Sequence, residues 1–181
     1  MPLAWPKDSM GRKSGICMKD QMLKVAIILG STRPGRNGEA VSQWIYEIAK
    51  KRSDADFELL DIKDFNLPLL DEPISPTMGQ YTKEHTKTWS VKINSFDAYV
   101  FVTAEYNHGI PGALKNAIDF LYKEWNNKVA GFVGYGGAGG VRDVVRLPCR
   151  LGEQQPDSAV AAIARAPRTG PRAELVRTYA M

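Results

Sequence analysis

The sequence predicts an α/β domain built on a doubly wound, parallel β-sheet with helices on both faces. The first observation is that residues 24–29 form a continuous apolar run, which is typical of a strand buried on both faces. The second is that strand-like and helix-like segments alternate from about residue 23 to 135. Parallel neighbours need right-handed crossovers, and helices supply them. The third is that polar or glycine-rich loops follow the strands, as expected where such sheets bind ligands.

Each element has its own sequence signal. Four runs rich in β-branched and aromatic residues predict strands, at residues 24–29, 57–62, 98–103 and 129–135. Three segments with apolar residues at helical spacing predict helices, opening near Asn37, Thr82 and Pro111. Between the second strand and the second helix, the prolines at 68, 73 and 76 argue against regular structure.

The two ends of the chain differ from this middle. We expect residues 1–22 to be a disordered extension, residues 23–146 to form the domain, and residues 147–181 to form an atypical tail. Residues 141–181 contain seven Arg and no Lys, whereas residues 1–140 contain four Arg and thirteen Lys. Four prolines interrupt the tail, and its one apolar run, residues 157–166, is rich in alanine. A fifth strand is therefore doubtful, and the fourth would then be an unprotected edge.

Composition narrows the classes of function. A hydrophobic fraction of 44% and a charged fraction of 24% are ordinary for a soluble protein, and we expect no membrane association. The net charge of +4 suggests nucleic-acid binding, but no basic helix supports it, so none is expected. Cys17 and Cys149 lack CxxC spacing, which predicts neither a disulfide framework nor a zinc site. A reducing cytoplasm is the expected compartment, and no metal site is predicted.

The first loop, residues 30–37, follows the first strand and has the chemistry of a phosphate site. Ser31 and Thr32 supply hydroxyl groups, Arg33 and Arg36 supply charge, and the helix after Asn37 adds backbone N–H groups. The loop is neither a P-loop nor a dinucleotide fingerprint, because its glycines are spaced differently. Taken alone, it could also be a polar turn with surface arginines.

The second loop, residues 104–111, follows the third strand and could form a shelf for a flat ring. Tyr106 lies between Glu105 and Asn107, and main-chain N–H groups there can meet ring oxygens and nitrogens. The alternative is that Tyr106 and Asn107 only shape a turn. His108 could also act as a general base.

The third loop, residues 134–140, follows the fourth strand and contains five glycines. Glycines at a strand end let the backbone approach a ligand closely. A flexible linker is the alternative interpretation. The three loops together predict a ligand site more strongly than any one of them, because they follow the strands that flank the ligand in such a sheet.

The motifs Gly-Ser-Thr-Arg-Pro-Gly-Arg, Glu-Tyr-Asn-His-Gly-Ile-Pro-Gly-Ala-Leu-Lys-Asn and Gly-Tyr-Gly-Gly-Ala-Gly-Gly resemble those of the NADPH-dependent FMN reductase family. This resemblance implies a flavodoxin-like fold with strand order 2-1-3-4-5. It also implies FMN and NADPH or NADH as cofactors, and a homodimer or homotetramer. Hydride would pass from NAD(P)H through flavin N5 to free flavin, a quinone, an azo compound or a similar small molecule, with no catalytic side chain.

The resemblance also implies a set of cofactor-binding residues. Those expected at the FMN phosphate are Ser31, Arg33 and Arg36, with Thr32 and Asn37 nearby. Those expected around the isoalloxazine ring are Glu105, Tyr106 and Asn107, with Pro111 shaping their loop and Tyr135, Gly136 and Gly137 on the other side. Trp125 and residues 67–78 are candidate walls of the acceptor site. The chain departs from the family at Ala104, where proline is common, and in its tail.

Two non-enzymatic alternatives stay open at this point. One is an electron carrier resembling flavodoxin, although such carriers are generally acidic and this chain is basic. The other is a degenerate flavodoxin-like protein, flavin-binding or empty, whose altered tail has cost it activity.

Overall fold

The computed structural model describes residues 22–137, Gly140 and the backbone of residues 160–165. The five strands are β1 (Leu23–Leu29), β2 (Ala55–Asp61), β3 (Ala98–Ala104), β4 (Val129–Tyr135) and β5 (Val160–Arg165). The three α-helices are α1 (Gly38–Ala49), α2 (Glu84–Asn94) and α3 (Gly112–Asp119). Short 3₁₀ helices span Ile62–Phe65, Pro76–Met78 and Lys123–Trp125. Both cysteines and nearly all of the expected N-terminal extension lie outside the described residues.

The strands form one parallel sheet in the order β2-β1-β3-β4-β5, which confirms the predicted topology. β1 is an inner strand: Ile27 is opposite Leu59 on β2 and Val100 on β3. Its residues Ala26 to Leu29 are buried, as the continuous apolar run predicts. Among the described residues, no helix is long and apolar enough to cross a membrane.

The fifth strand was doubtful from the sequence, and the structure contains it. Val160–Arg165, inside the alanine-rich run, pairs in parallel with β4, with a register irregularity between Ala130 and Phe132. This pairing satisfies backbone groups that would otherwise leave β4 as an open edge. The rest of the tail lies outside the described residues.

Helices cover both faces of the sheet. On one face α1 packs over a cluster that includes Ile27, Val102 and Val133. On the other face α2 and α3 enclose the larger core, which includes Ile28, Trp89, Phe101, Phe132 and Trp125. The expectation that Trp125 lines an acceptor site is wrong, because its ring packs against core aromatics and its Nε1 donates to the Ile118 carbonyl at 3.2 Å.

Glu72, in the proline-containing segment, caps α2. The helix starts at Glu84, two residues after the predicted start at Thr82, and Glu72 accepts hydrogen bonds from the two residues that precede it. The Thr82 N–H, the Thr82 hydroxyl and the Lys83 N–H donate to its carboxylate at 3.0, 2.8 and 3.0 Å. Burial alone would raise the pKa of Glu72, but these hydrogen bonds lower it to about 2.

We expect Glu72→Gln to remove an acid-dependent part of the protein's stability. A carboxyl group with a depressed pKa stabilises the fold above its unfolded value near 4.5, and that contribution is lost as the pH falls toward 2. Urea unfolding at pH 7 should show a loss of about 0.5–2 kcal/mol, the usual range for a helix cap.

The difference between wild type and Glu72→Gln should shrink between about pH 5 and pH 2. Asp56→Asn, on an exposed position of β2, controls for the loss of one charge. A Glu72→Gln difference that is the same at all pH values would contradict this role for the carboxylate.

Candidate functional site

The carboxyl ends of β1, β3 and β4 bring the first, second and third loops to one edge of the sheet. In a parallel sheet all carboxyl ends share an edge, and crevices between the loops there bind ligands. The Gly30 N–H donates to the Val102 carbonyl at 2.9 Å, and the Glu105 N–H donates to the Tyr135 carbonyl at 2.9 Å. These bonds extend the β1–β3 and β3–β4 pairings into the loops, so the starting points of the loops are fixed.

Ser31 and Tyr106 join the first loop to the second. Ser31 is fully buried, and its Oγ lies 2.8 Å from the Tyr106 hydroxyl. The exposed Arg33 guanidinium lies 5.8 Å from the centre of the Tyr106 ring, within cation–π range. Ser31, Arg33 and Tyr106 therefore form one cluster of hydroxyl and guanidinium donors.

The Arg36 side chain is buried and already has hydrogen-bond partners. Its guanidinium pairs with both carboxylate oxygens of Asp61 at the end of β2, and it also donates to the Ser31 carbonyl and to Glu39. Burial alone would lower the pKa of Arg36, but the bonds to Asp61 and Glu39 raise it overall, so the side chain stays charged. Arg36 is thus an anchor of the first loop, and its direct contact with phosphate stays a prediction.

The amino end of α1 faces the first loop. Asn37 occupies the N-cap position, as predicted, but its side chain makes no capping hydrogen bond. The backbone N–H groups of the first helical turn therefore have no side-chain cap, and they add the positive end of the helix dipole. Such an end can accept an anion.

The second loop is a tight reversal. Tyr106 and Gly109 exchange backbone hydrogen bonds of 2.9 and 3.0 Å. Asn107 and His108 between them have φ values of +50° and +62°, the region that two-residue hairpin turns require. Asn tolerates this region, whereas His adopts it at a cost of about 1–2 kcal/mol. The turn presents Tyr106, Asn107 and His108 outward.

Glu105 lies below this turn, with only 7% of its side chain exposed and its Oε1 3.4 Å from Nδ1 of His108. Pro111, buried at the N-cap position of α3, ends the loop, as predicted. The loop is therefore supported by a buried carboxylate at one end and a fixed proline at the other.

The third loop packs closely on the second. A Cβ atom on Gly136 would lie 2.9 Å from Cβ of Glu105, so only glycine fits without a shift. Burial raises the pKa of Tyr135 to about 12, with a contribution from Tyr106, against the lowering charges of Arg36 and Arg33. Tyr135 is therefore a neutral hydroxyl at physiological pH, close to the Ser31–Arg33–Tyr106 cluster.

Of the twelve predicted residues, the structure gathers Ser31, Arg33, Tyr106, Glu105, Tyr135 and Gly136 most closely. Thr32 is separate: it lines a cavity of about 180 Å³ between the Ile62–Phe65 helix and α3. The remaining residues lie on the same loops as predicted. Two further residues beside the loops, Asp61 and Gly38, were not predicted from the sequence.

Gly38 allows Tyr135 to lie against α1, because a Cβ atom there would overlap the Tyr135 hydroxyl and Leu29. No sequence signal separates this glycine from others in helix first turns. Asp61, in contrast, is a polar residue at a predicted strand end, the same signal that identified the three loops. The described residues contain no group of three or more His, Cys, Asp or Glu side chains placed to hold a metal ion.

The sequence profile of the NADPH-dependent FMN reductase family matches residues 23–148. The chain belongs to this family. An NAD(P)H-dependent FMN reductase of a Nectria species is 47% identical over 132 residues, covering 70% of this chain and 66% of the relative. One from Schizosaccharomyces pombe is 46% identical over 119 residues, covering 65% and 60%. The chain thus spans slightly less than two thirds of the length of these two relatives.

The fold of this chain is similar to that of a solved structure. The flavoenzyme NAD(P)H:(acceptor) oxidoreductase of Paracoccus denitrificans superposes with a TM-score of 0.60 at 26% identity, covering 74% of this chain and 72% of that one. Membership of the family makes FMN the group against which the site should be tested.

The phosphate end of the site fits FMN. At the phosphate end, the uncapped first turn of α1, the Ser31 hydroxyl and the exposed Arg33 are complementary to a dianion. Beside the second and third loops, a Cβ atom on Gly112 or Gly137 would meet no described heavy atom within 4 Å, so these two glycines do not obstruct a ring there. The donor set therefore suits the phosphate of FMN.

Proposed function

We propose that this protein is an FMN-dependent NAD(P)H oxidoreductase that reduces a small-molecule acceptor. The observation that carries the proposal is the convergence of Ser31, Arg33, Tyr106 and Tyr135 at the carboxyl ends of β1, β3 and β4. The names of its family relatives support the same reaction. In it, NAD(P)H gives up a hydride, and the acceptor gains two electrons and the protons that balance them.

The protein's part in this reaction is binding and orientation. Ser31, Arg33 and the amino end of α1 would hold the phosphate, with Thr32, Arg36 and Asn37 on the same loop. Glu105, Tyr106, Asn107 and Pro111 would border the ring on one side, and Tyr135, Gly136 and Gly137 on the other. The chemistry that FMN supplies when bound is two-electron transfer between NAD(P)H and the acceptor. No side chain needs to act as a base.

The acceptor is proposed as a class: free flavin, a quinone, an azo compound or a similar small molecule. Relatives named quinone reductase, such as one from Pseudomonas putida at 36% identity over 99 residues, favour a flat, conjugated acceptor. Such a molecule could stack on the open side of the ring site. NADPH and NADH are both candidate donors.

We expect the purified protein, loaded with FMN, to show a flavin absorbance band that bleaches when NADPH is added without oxygen. The physical reason is that hydride transfer destroys the conjugation of the oxidised ring. A visible spectrum before and after the addition checks this. A band that persists with both NADPH and NADH would favour the non-catalytic alternative. A colourless protein that FMN cannot restore would favour the degenerate one.

We expect Arg33→Ala to weaken FMN binding far more than riboflavin binding, because only FMN carries the phosphate. A lost hydrogen bond to a charged group costs about 1.5–3 kcal/mol, or about ten- to a hundredfold in Kd. Flavin fluorescence titration measures both ligands. Arg52→Ala, which removes an exposed arginine paired with Asp54, is the matched control. Equal losses for FMN and riboflavin would contradict the phosphate assignment.

We also propose that the chain acts as a homodimer or homotetramer in the cytoplasm. The loop segment of residues 69–78 exposes four large apolar residues, Leu69, Leu70, Ile74 and Met78, and Leu69 is 85% exposed; these residues, called here the apolar loop patch, support self-association. Asn116 of α3 holds this segment in place through the Pro68 carbonyl and the Leu70 N–H. A fixed, exposed apolar patch favours a protein partner, here a second copy. Cytosolic proteins usually lack disulfides, and the two cysteines of this chain do not predict a disulfide framework. Both points support the cytoplasm as the compartment.

We expect light scattering to give a mass of two or four times 20.1 kDa, and Leu69→Asp to lower it, because a charge in an apolar interface is costly. Val91→Asp places the same charge at an exposed position of α2 and should leave the mass unchanged. A wild-type protein that is monomeric at micromolar concentration would refute the oligomer. Cell fractionation tests the compartment.

A further inference from the structure

We infer that Asp61 is a positioning residue for the phosphate site: acting through Arg36, it holds the first loop in the form that binds FMN. The inference rests on the proposed function, because it presumes that FMN is the ligand. Asp61 is the last residue of β2, whereas Ser31 follows β1. The hydrogen bond that joins the Asp61 side chain to the first loop is made with Arg36.

Nearly all N–H donors of the Arg36 guanidinium are used in contacts that hold the first loop. Nη1 donates to the Ser31 carbonyl and, at 3.1 Å, to Asp61 Oδ1, while Nη2 donates to Asp61 Oδ2 and Nε to Glu39 at 3.0 Å. These contacts use four of the five N–H groups of a guanidinium. Only 3% of the side chain is exposed. At most one donor remains for a phosphate, so the main work of Arg36 is to shape the loop.

Asp61 is itself held on three sides. Its backbone is in register with Leu29, the residue that precedes the first loop. Its Oδ1 also accepts from the Lys63 N–H at 2.9 Å and so caps the Ile62–Phe65 helix. The forked pair between Arg36 and Asp61 therefore ties the far end of the first loop to β2, the strand next to β1. A loop tied at both ends loses less entropy when it binds a ligand.

The consequence for Ser31 follows from the carbonyl contact. The Arg36 guanidinium fixes the Ser31 carbonyl, and the direction of a serine Oγ depends on its own backbone. Loss of Asp61 would leave a buried guanidinium without its main partner, which is a costly arrangement that moves the side chain. The Ser31 carbonyl would then lose its donor, and the hydroxyl would lose its fixed direction.

Simple electrostatics makes the opposite prediction. Asp61 is an anion near a site proposed for a dianion, so its charge disfavours phosphate. Asp61 also competes with phosphate for Arg36. If repulsion of the phosphate by Asp61, or competition between them for Arg36, dominated the effect on FMN affinity, Asp61→Asn would tighten FMN binding. If positioning decides it, Asp61→Asn weakens FMN binding, so the sign of the change separates the two accounts.

The experiment compares FMN and riboflavin binding to wild type, Asp61→Asn and Asp54→Asn by fluorescence titration. Asp54→Asn is the matched control, since Asp54 forms a forked pair with Arg52 on the exposed surface. We expect Asp61→Asn to raise the Kd of FMN about tenfold or more and that of riboflavin by less than about twofold. Asp54→Asn should change neither.

Arg36→Lys gives a second test that keeps the positive charge but loses the fork. It should also weaken FMN selectively, with the folded state checked by circular dichroism, and unchanged FMN binding in it overturns the positioning role even if Asp61→Asn does not fold. Unchanged or tighter FMN binding in either folded variant would overturn the positioning role alone. A folded wild type that binds no FMN would overturn the proposed function and this inference with it.

Discussion

The inner strand β1 pairs with a neighbour on each side, and its residues Ala26–Leu29 are buried; the position of the site depends on this constraint. Pairing with β2 and β3 fixes the register of β1 in the sheet. The Gly30 N–H continues the β3 pairing one residue beyond the strand. Gly30 also has no space for a side chain, since a Cβ atom there would lie 2.7 Å from Cδ2 of Leu114. The chain must therefore leave the sheet at one point, and the first loop begins there.

From that point, a few long-range polar contacts shape the site. Ser31 meets Tyr106 from 75 residues away, and Arg36 meets Asp61 from 25 residues away. The two arginines of the first loop therefore have different surroundings. Arg36 is buried in an ion pair with Asp61, and Arg33 stays exposed beside the Tyr106 ring. A buried ion pair adds little net stability compared with apolar packing. Its value here is geometric, because the fork fixes the backbone of Ser31.

Local signals predicted most of the fold. The fourth strand has the predicted limits, and the first and third differ from prediction by one residue at one end. The prediction was weakest in the tail, where an alanine-rich segment forms β5 because the edge of β4 offers it backbone partners. Trp125 was misjudged because one sequence does not show which aromatic residues face the core. Its neighbours there come from α2 and β3.

The sequence by itself determined the sheet and the three loops at its carboxyl edge. Apolar runs, helical spacing and glycine clusters are local properties, and a parallel sheet places all its carboxyl ends together. Only the tertiary structure decided which side chains of those loops meet. Thr32 and Arg36 carry the same sequence signals as Ser31 and Arg33, yet they point toward the Ile62–Phe65 helix and Asp61. The reason is that side-chain partners depend on contacts between distant segments, which spacing along one chain does not encode.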